Sequence, residues 1–232
     1  MTWLAALKMP FRPLHHFLPG FISQARKAQF TKPAAIRTQV QIPIRGATGE
    51  FCSFTNLGDS GEHFAVGFGN WARQQNPLVR IHSECLTGDV FGSMRCDCGN
   101  QLSEAVDLLN QQDGILIYLR QEGRGIGLYN KFSAYELQAA GYDTYAANRA
   151  LGFADDLRDY RPAAKILQAL GKSSVRLLTN NPDKVAQLER FGIAVSSRIS
   201  TGIFSHAHNR RYLQTKKIAT GHHIAFNLTG EI

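Results

Sequence analysis

"VRLLTNNPDKVAQLERFGIAVSSRI", residues 175–199, decides the fold. "VRLLTN" is an apolar run of strand length. "NPDKVAQLERFG" is a marked helix, with Asn181 at the cap, Pro182 at the first helical position and Gly192 just past the end. "IAVSSRI" is the next strand. Working outward, the same alternation continues. "LVRIHSE" (78–84) reads as a buried strand and "NQLSEAVDLLNQQ" (100–112) as a helix, with apolar residues at 102, 105, 106, 108 and 109. "ILIYLRQ" (115–121) is a strand, "LYNKFSAYELQAAG" (128–141) a helix closed by Gly141, and "RPAAKILQALG" (161–171) another helix. Residues 208–219 read as a last, basic helix. Strands alternating with helices of this length predict an α/β fold: a central, mostly parallel or mixed sheet flanked by helices. Upstream, "QVQIPI", "GEFCSF" and "HFAVGFG" between residues 39 and 69 predict antiparallel strands, a β-rich N-terminal part of the same unit.

At 232 residues, with 44% hydrophobic and 19% charged side chains, the chain has the composition of an ordinary globular protein. No stretch approaches the roughly 18 to 20 apolar residues of a spanning helix, so no membrane partner is expected. The net charge of +8 is unevenly placed. Lys8, Arg12, Arg26, Lys27, Lys32, Arg37 and Arg45 precede the first acidic residue, Glu50, whereas the remainder is close to neutral. Basicity therefore belongs to the N-terminal region, whose residues 1–35 read as a basic extension, and does not mark a nucleic-acid groove. The extension makes a poor secretory signal, and Pro10, Pro13 and Pro19 interrupt any amphipathic transit helix. Residues 36–232 are expected to form the functional domain.

Three of the four cysteines fall within fourteen residues, in "HSECLTGDVFGSMRCDCGNQL" (82–102). Four cysteines are too few for a disulfide scaffold at this length, and the clustering points to metal in a reducing compartment. Cys96 and Cys98 can place two thiolates on one ion, with Cys85 reaching back across a loop. Zinc favours such ligands and, held by three of them, keeps one position open for water. His82 is the nearby candidate for a fourth ligand, which would close the site into a structural one. His82-Ser83-Glu84 also matches the H-x-E of zinc deaminases, but their P-C-x-x-C element is missing. Three unrelated core cysteines is the plainest alternative.

Two strand–helix junctions offer anion sites. "RQEGRGIGL" (120–128) brings Gly123, Gly125, Gly127 and the guanidinium of Arg124 to the start of a helix. "LLTNNPDK" (177–184) repeats the arrangement with Thr179 and Lys184. Either is equally a tight turn or a capped helix. The charged run "GFADDLRDYRP" (152–162) reads by itself as a solvated loop.

Taken together, these segments resemble GTP cyclohydrolase II. The motifs "RIHSECLTGDVFGSMRCDCGNQL", "RQEGRGIGLYNKFSAYELQAAGYDT", "ANRALGFADDLRDY", "LLTNNPDK" and "YLQTKK…GH" follow the family's order from about residue 40 to 222. The resemblance implies hydrolysis of GTP to 2,5-diamino-6-(5-phosphoribosylamino)pyrimidin-4(3H)-one, formate and pyrophosphate, the first step of riboflavin biosynthesis. It implies one zinc ion per subunit on Cys85, Cys96 and Cys98, with Mg2+ on the substrate triphosphate. Asp156 then corresponds to the general base, Arg158 to a nucleophile or charge stabiliser at phosphorus, and Tyr135 to a residue facing the reacting ring. GTP contacts fall on Arg80, Ile81, His82, Ser83, Glu84, Gln101, Glu122, Gly123, Arg124, Thr144, Thr179 and Lys184. A cytoplasmic homodimer is expected on the same ground. Rival expectations are a homologue that stops at the ring-opened formamide, and a structural zinc protein that binds nucleic acid through the basic extension. One departure is "SSRISTGIFSHAHN" (196–209), polar where the family leads one to expect an acidic residue before Arg198 and apolar residues after it.

Overall fold

The computed structural model describes residues 32–44, 46–205, 207 and 209. The basic extension, apart from its last four residues, and the expected helix at 208–219, apart from Asn209, lie outside the described residues. Among the described residues seven strands form one sheet: β1 (Ala35–Ile44), β2 (Ala47–Thr55), β3 (Phe64–Phe68), β4 (Leu78–Ser83), β5 (Ile115–Leu119), β6 (Ser174–Leu178) and β7 (Ala194–Ile199). Their order is β1-β2-β3-β5-β4-β6-β7. The hairpin strands β1 to β3 pair antiparallel and join the rest through an antiparallel β3–β5 ladder. Parallel pairing links β5 to β4, β4 to β6 and β6 to β7. The sheet is thus evenly mixed, because the β-rich N-terminal part extends it rather than packing beside it.

Among the described residues six α-helices accompany the strands: α1 (Leu86–Asp89), α2 (Cys98–Gln111), α3 (Leu128–Ala139), α4 (Thr144–Ala150), α5 (Arg161–Ala169) and α6 (Pro182–Arg190). The α6 start follows the sequence reading, with Asn181 Oδ1 accepting from Asp183 N at 3.0 Å ahead of Pro182. Side chains alternate across the sheet with the period of two that a strand imposes. Ile115, Ile117 and Leu119 of β5 share a buried cluster with Ala163, Ala164, Ile166 and Leu167 of α5 and Leu188 of α6. Leu116 belongs to the opposite cluster, with Leu78, Leu178, and Ala105 and Leu109 of α2. Each such fully buried Leu or Ile contributes about 1.5–3 kcal/mol of transfer free energy.

This layering positions the site. The helix that follows β4 covers one face of the sheet, and the helix that follows β6 covers the other. The adjacent, parallel β4 and β6 therefore meet at a topological switch point, where crevices open beyond the carboxyl ends of strands. Their ladder holds only at Leu78↔Arg176 and Val79↔Leu177. Beyond that register the two strands part. No helix among the described residues is long and apolar enough to cross a membrane.

Candidate active site

Beyond β4 the chain turns into α1, and Cys85, Cys96 and Cys98 converge there. Their ligand atoms all lie within 4.8 Å of one another, and the sulfurs of Cys85 and Cys96 are 3.6 Å apart. Tetrahedral zinc–thiolate bonds of about 2.3 Å require sulfurs roughly 3.8 Å apart, so the spacing fits that ion. The neighbouring backbone is shaped to match. A methyl group on Gly88 would lie 2.9 Å from Cys96 Sγ and 3.1 Å from Cys85 Sγ, and one on Gly99 would lie 2.4 Å from Gly88 O. Only glycine lets α1 and α2 approach closely enough to bring Cys85, just ahead of α1, against Cys98, the first residue of α2.

His82 does not join the group. Its Nε2 lies 3.0 and 3.1 Å from the two oxygens of Asp89, which also accepts from Cys85 N at 3.0 Å and Tyr118 Oη at 2.8 Å. Burial pushes the imidazole below its ordinary pKa, against the opposing pull of Asp89. Glu84 pairs with Arg120 at 2.9 Å. His82 and Glu84 of the H-x-E triplet therefore pair with Asp89 and Arg120 rather than joining the thiols, as a deaminase arrangement would not have them.

The thiols sit in the wall of a large cavity at the switch point. Of the residues singled out from the sequence, the cavity is lined by Arg80, His82, Ser83, Glu84, Cys85, Cys96, Cys98, Gln101, Glu122, Gly123, Arg124, Tyr135, Thr144, Arg158, Thr179 and Lys184. Two are absent from it. Ile81 is a fully buried core residue of β4, because alternation turns its side chain away. Asp156 has a partly buried side chain, 30% exposed, that pairs with Arg158. Its carboxylate takes Arg158 N at 3.1 Å and Nε at 2.9 and 3.1 Å, and it also pairs with Nη2. Burial alone would raise the Asp156 pKa, but the Arg158 hydrogen bonds and charge outweigh it and hold the carboxyl below its ordinary value.

Several of these groups also hold the crevice open. Arg80 donates to Leu178 O at 3.1 Å and Gln101 Oε1 at 2.9 Å, while Lys184 Nζ donates to Ile81 O at 2.7 Å. The carbonyls freed where β4 and β6 part are thus met by cationic side chains, one from each side. Thr179 Oγ1 accepts from Asn181 N at 3.0 Å at the mouth of α6. In the turn Glu122–Gly125, Gly123 and Arg124 both adopt φ 62°, ψ 32°. Glycine takes that left-handed conformation freely. For Arg124 it is costly, and its contacts maintain it: its carbonyl accepts from Leu157 N at 3.0 Å and its guanidinium lies 4.5 Å over the Tyr145 ring.

Sequence reasoning missed other cavity residues, among them Arg95, Asp97, Lys131, Asn148, Thr201 and Ile203. Lys131 is buried, and although burial opposes its charge, Cys85 and Glu122 outweigh that and raise its pKa. In sequence it reads as one more lysine on a solvated helix face. Thr201 and Ile203 show that the departing stretch 196–209 reaches the cavity, with Thr201 buried against Asn180.

Comparison with known proteins agrees with this geometry. The family model described as GTP cyclohydrolase II matches residues 35–200. The chain is 52% identical over 196 residues to a GTP cyclohydrolase-2 from Psychromonas ingrahamii, covering 82% of this chain and 98% of the relative. It is 47% identical over 202 residues to the GTP cyclohydrolase-2 of Aliivibrio fischeri, covering 84% and 99%. It also matches the Riboflavin biosynthesis protein RibBA of Bacillus subtilis, at 50% over 189 residues, 81% of this chain and 48% of that longer protein.

Proposed function

The chain belongs to the GTP cyclohydrolase II family, and from that premise we propose that it hydrolyses GTP to the diaminopyrimidinone ribosyl phosphate, formate and pyrophosphate, opening riboflavin biosynthesis. One observation carries the reading: the three thiols share a single cavity with both strand–helix junctions that suit phosphate. Cys85, Cys96 and Cys98 would hold zinc. When bound there, zinc supplies a Lewis acid and a source of nucleophilic hydroxide near neutral pH.

The protein's own groups do the remaining work. Gln101, Ser83 and Glu84 line the cavity and have the donors and acceptors to read the guanine edge. Arg124 and Lys184, with the hydroxyl of Thr179, face the same space and suit a triphosphate carrying Mg2+. Tyr135 lines the wall beside the thiols and is suited to face the ring. Arg158 reaches the cavity with Asp156 behind it. A guanidinium so paired stays protonated and has no lone pair to attack phosphorus, so we assign Arg158 to stabilising charge there and Asp156 to orienting it. Homodimer formation, a cytoplasmic location and the absence of a nucleic-acid partner are carried by the family reading.

A structural-zinc role would need a fourth protein ligand. The mutually close group among the described residues is the three cysteines, which favours an open, catalytic site. Cys96→Ser tests this reading. The variant is expected to lose bound zinc and to release no formate from GTP; undiminished formate would overturn the assignment.

A further inference from the structure

Lys131 of α3 is buried, and its ammonium lies 3.2 Å from Cys85 Sγ, 3.0 Å from Thr87 Oγ1 and 2.8 Å from Glu122 Oε1. An ammonium has three N–H bonds, and these three acceptors take them, so none is left over for a substrate. Glu122 is fixed in turn, accepting from Leu86 N at 2.6 Å and Gly123 N at 2.8 Å. The cation cannot swing away without stranding a buried carboxylate. Thr87, which accepts from Lys131, keeps its own hydrogen and has Cys85 Sγ at 3.7 Å. The Cys96 sulfur, by contrast, meets a carbonyl, Ser93 O at 4.0 Å. Cys85 and Cys96 therefore differ, with an ammonium donating to the first sulfur and a carbonyl facing the second.

We infer that Lys131 is a positioning residue that tunes the metal: its hydrogen bond makes the Cys85 thiolate a weaker electron donor than it would otherwise be and keeps the bound ion electrophilic. Three thiolates outweigh the charge of a divalent ion and blunt its Lewis acidity. A cationic N–H on one sulfur draws that density back, as outer hydrogen bonds do at other metal–ligand sets. The inference rests on the zinc reading above. It differs from assigning Lys131 as a proton donor, for which no N–H remains, and from a mere strut between α3 and the Glu122–Gly125 turn.

Cobalt-substituted full-length chain provides the test, through the thiolate-to-cobalt charge-transfer band. Lys131→Met removes the donor, and the double variant Lys131→Met with Glu122→Gln also removes the carboxylate it would strand. Both are expected to bind one cobalt per chain with the band moved to longer wavelength. Their zinc forms are expected to lose roughly 10- to 100-fold in kcat, as for outer-sphere changes elsewhere. Lys131→Arg should keep the band near its original position. A band unmoved in both variants would overturn the inference. So would loss of cobalt from both with the circular dichroism unchanged, since Lys131 would then build the site and not tune it. Failure of the unaltered chain to take up cobalt would instead count against the metal reading itself.

Discussion

Asp156 and Arg158 are two residues apart, and the pairing between them sets what each can do. A carboxylate that already accepts from a backbone N–H and a guanidinium is a poor base, but it aims the guanidinium well. Asp156→Asn should therefore leave the fold intact and lower kcat on the order of 100-fold through misplacement of Arg158; near-normal turnover would exclude the pairing from catalysis. Stability carries a second signature. The Asp156 pKa is held below its unfolded value, so the pairing contributes above an unfolded pKa of about 3.9 and is lost as pH falls through the lower, folded value. The melting temperatures of the two proteins should differ at neutral pH and converge in acid. A difference that persists at pH 2 would contradict the shift. Residue types at this scale were legible: the cysteines, Arg124, Thr179 and Lys184 all line the cavity. Contacts were not. Nothing in "NKFSAYEL" distinguishes Lys131 from a solvated lysine, because what buries it is a thiol 46 positions earlier in the chain.

At the scale of elements, local chemistry decided what could be foreseen. The α6 start carries its own signals, a capping Asn followed by Pro. Helix α4 does not: seven residues give too short a window for periodicity, and its cap, Asp143 accepting from Tyr145 N and Ala146 N at 2.8 Å, lies in what reads as a turn after Gly141. The α6 cap also serves the site, since Lys184 follows within one turn. Replacing Asn181 by Ala should cost about 0.5–2 kcal/mol, a drop of roughly 2–4 °C in Tm per kcal/mol for a chain of this size. Asn181→Ser, which keeps an acceptor, should recover most of it. An unchanged Tm in the Ala variant would show that the cap hydrogen bond contributes nothing.

For the whole molecule, the alternation of strands and helices foretold an α/β sheet, yet its strand order could not be read from local pattern. That order matters most, because the reversal between β4 and β6 opens the crevice and brings residues 80–101, 121–158 and 179–203 to one place. The family match begins at residue 35, so deleting residues 1–30 should leave kcat and KM for GTP largely unchanged. A folded but inactive truncation would show that the extension takes part. One quantity tests the proposed hydrolysis most directly, formate released per pyrophosphate when the zinc-loaded chain is incubated with GTP and Mg2+. Equal amounts of the two are expected. Pyrophosphate without formate, a ring-opened formamide accumulating in its place, or neither product from a fully loaded chain would contradict it.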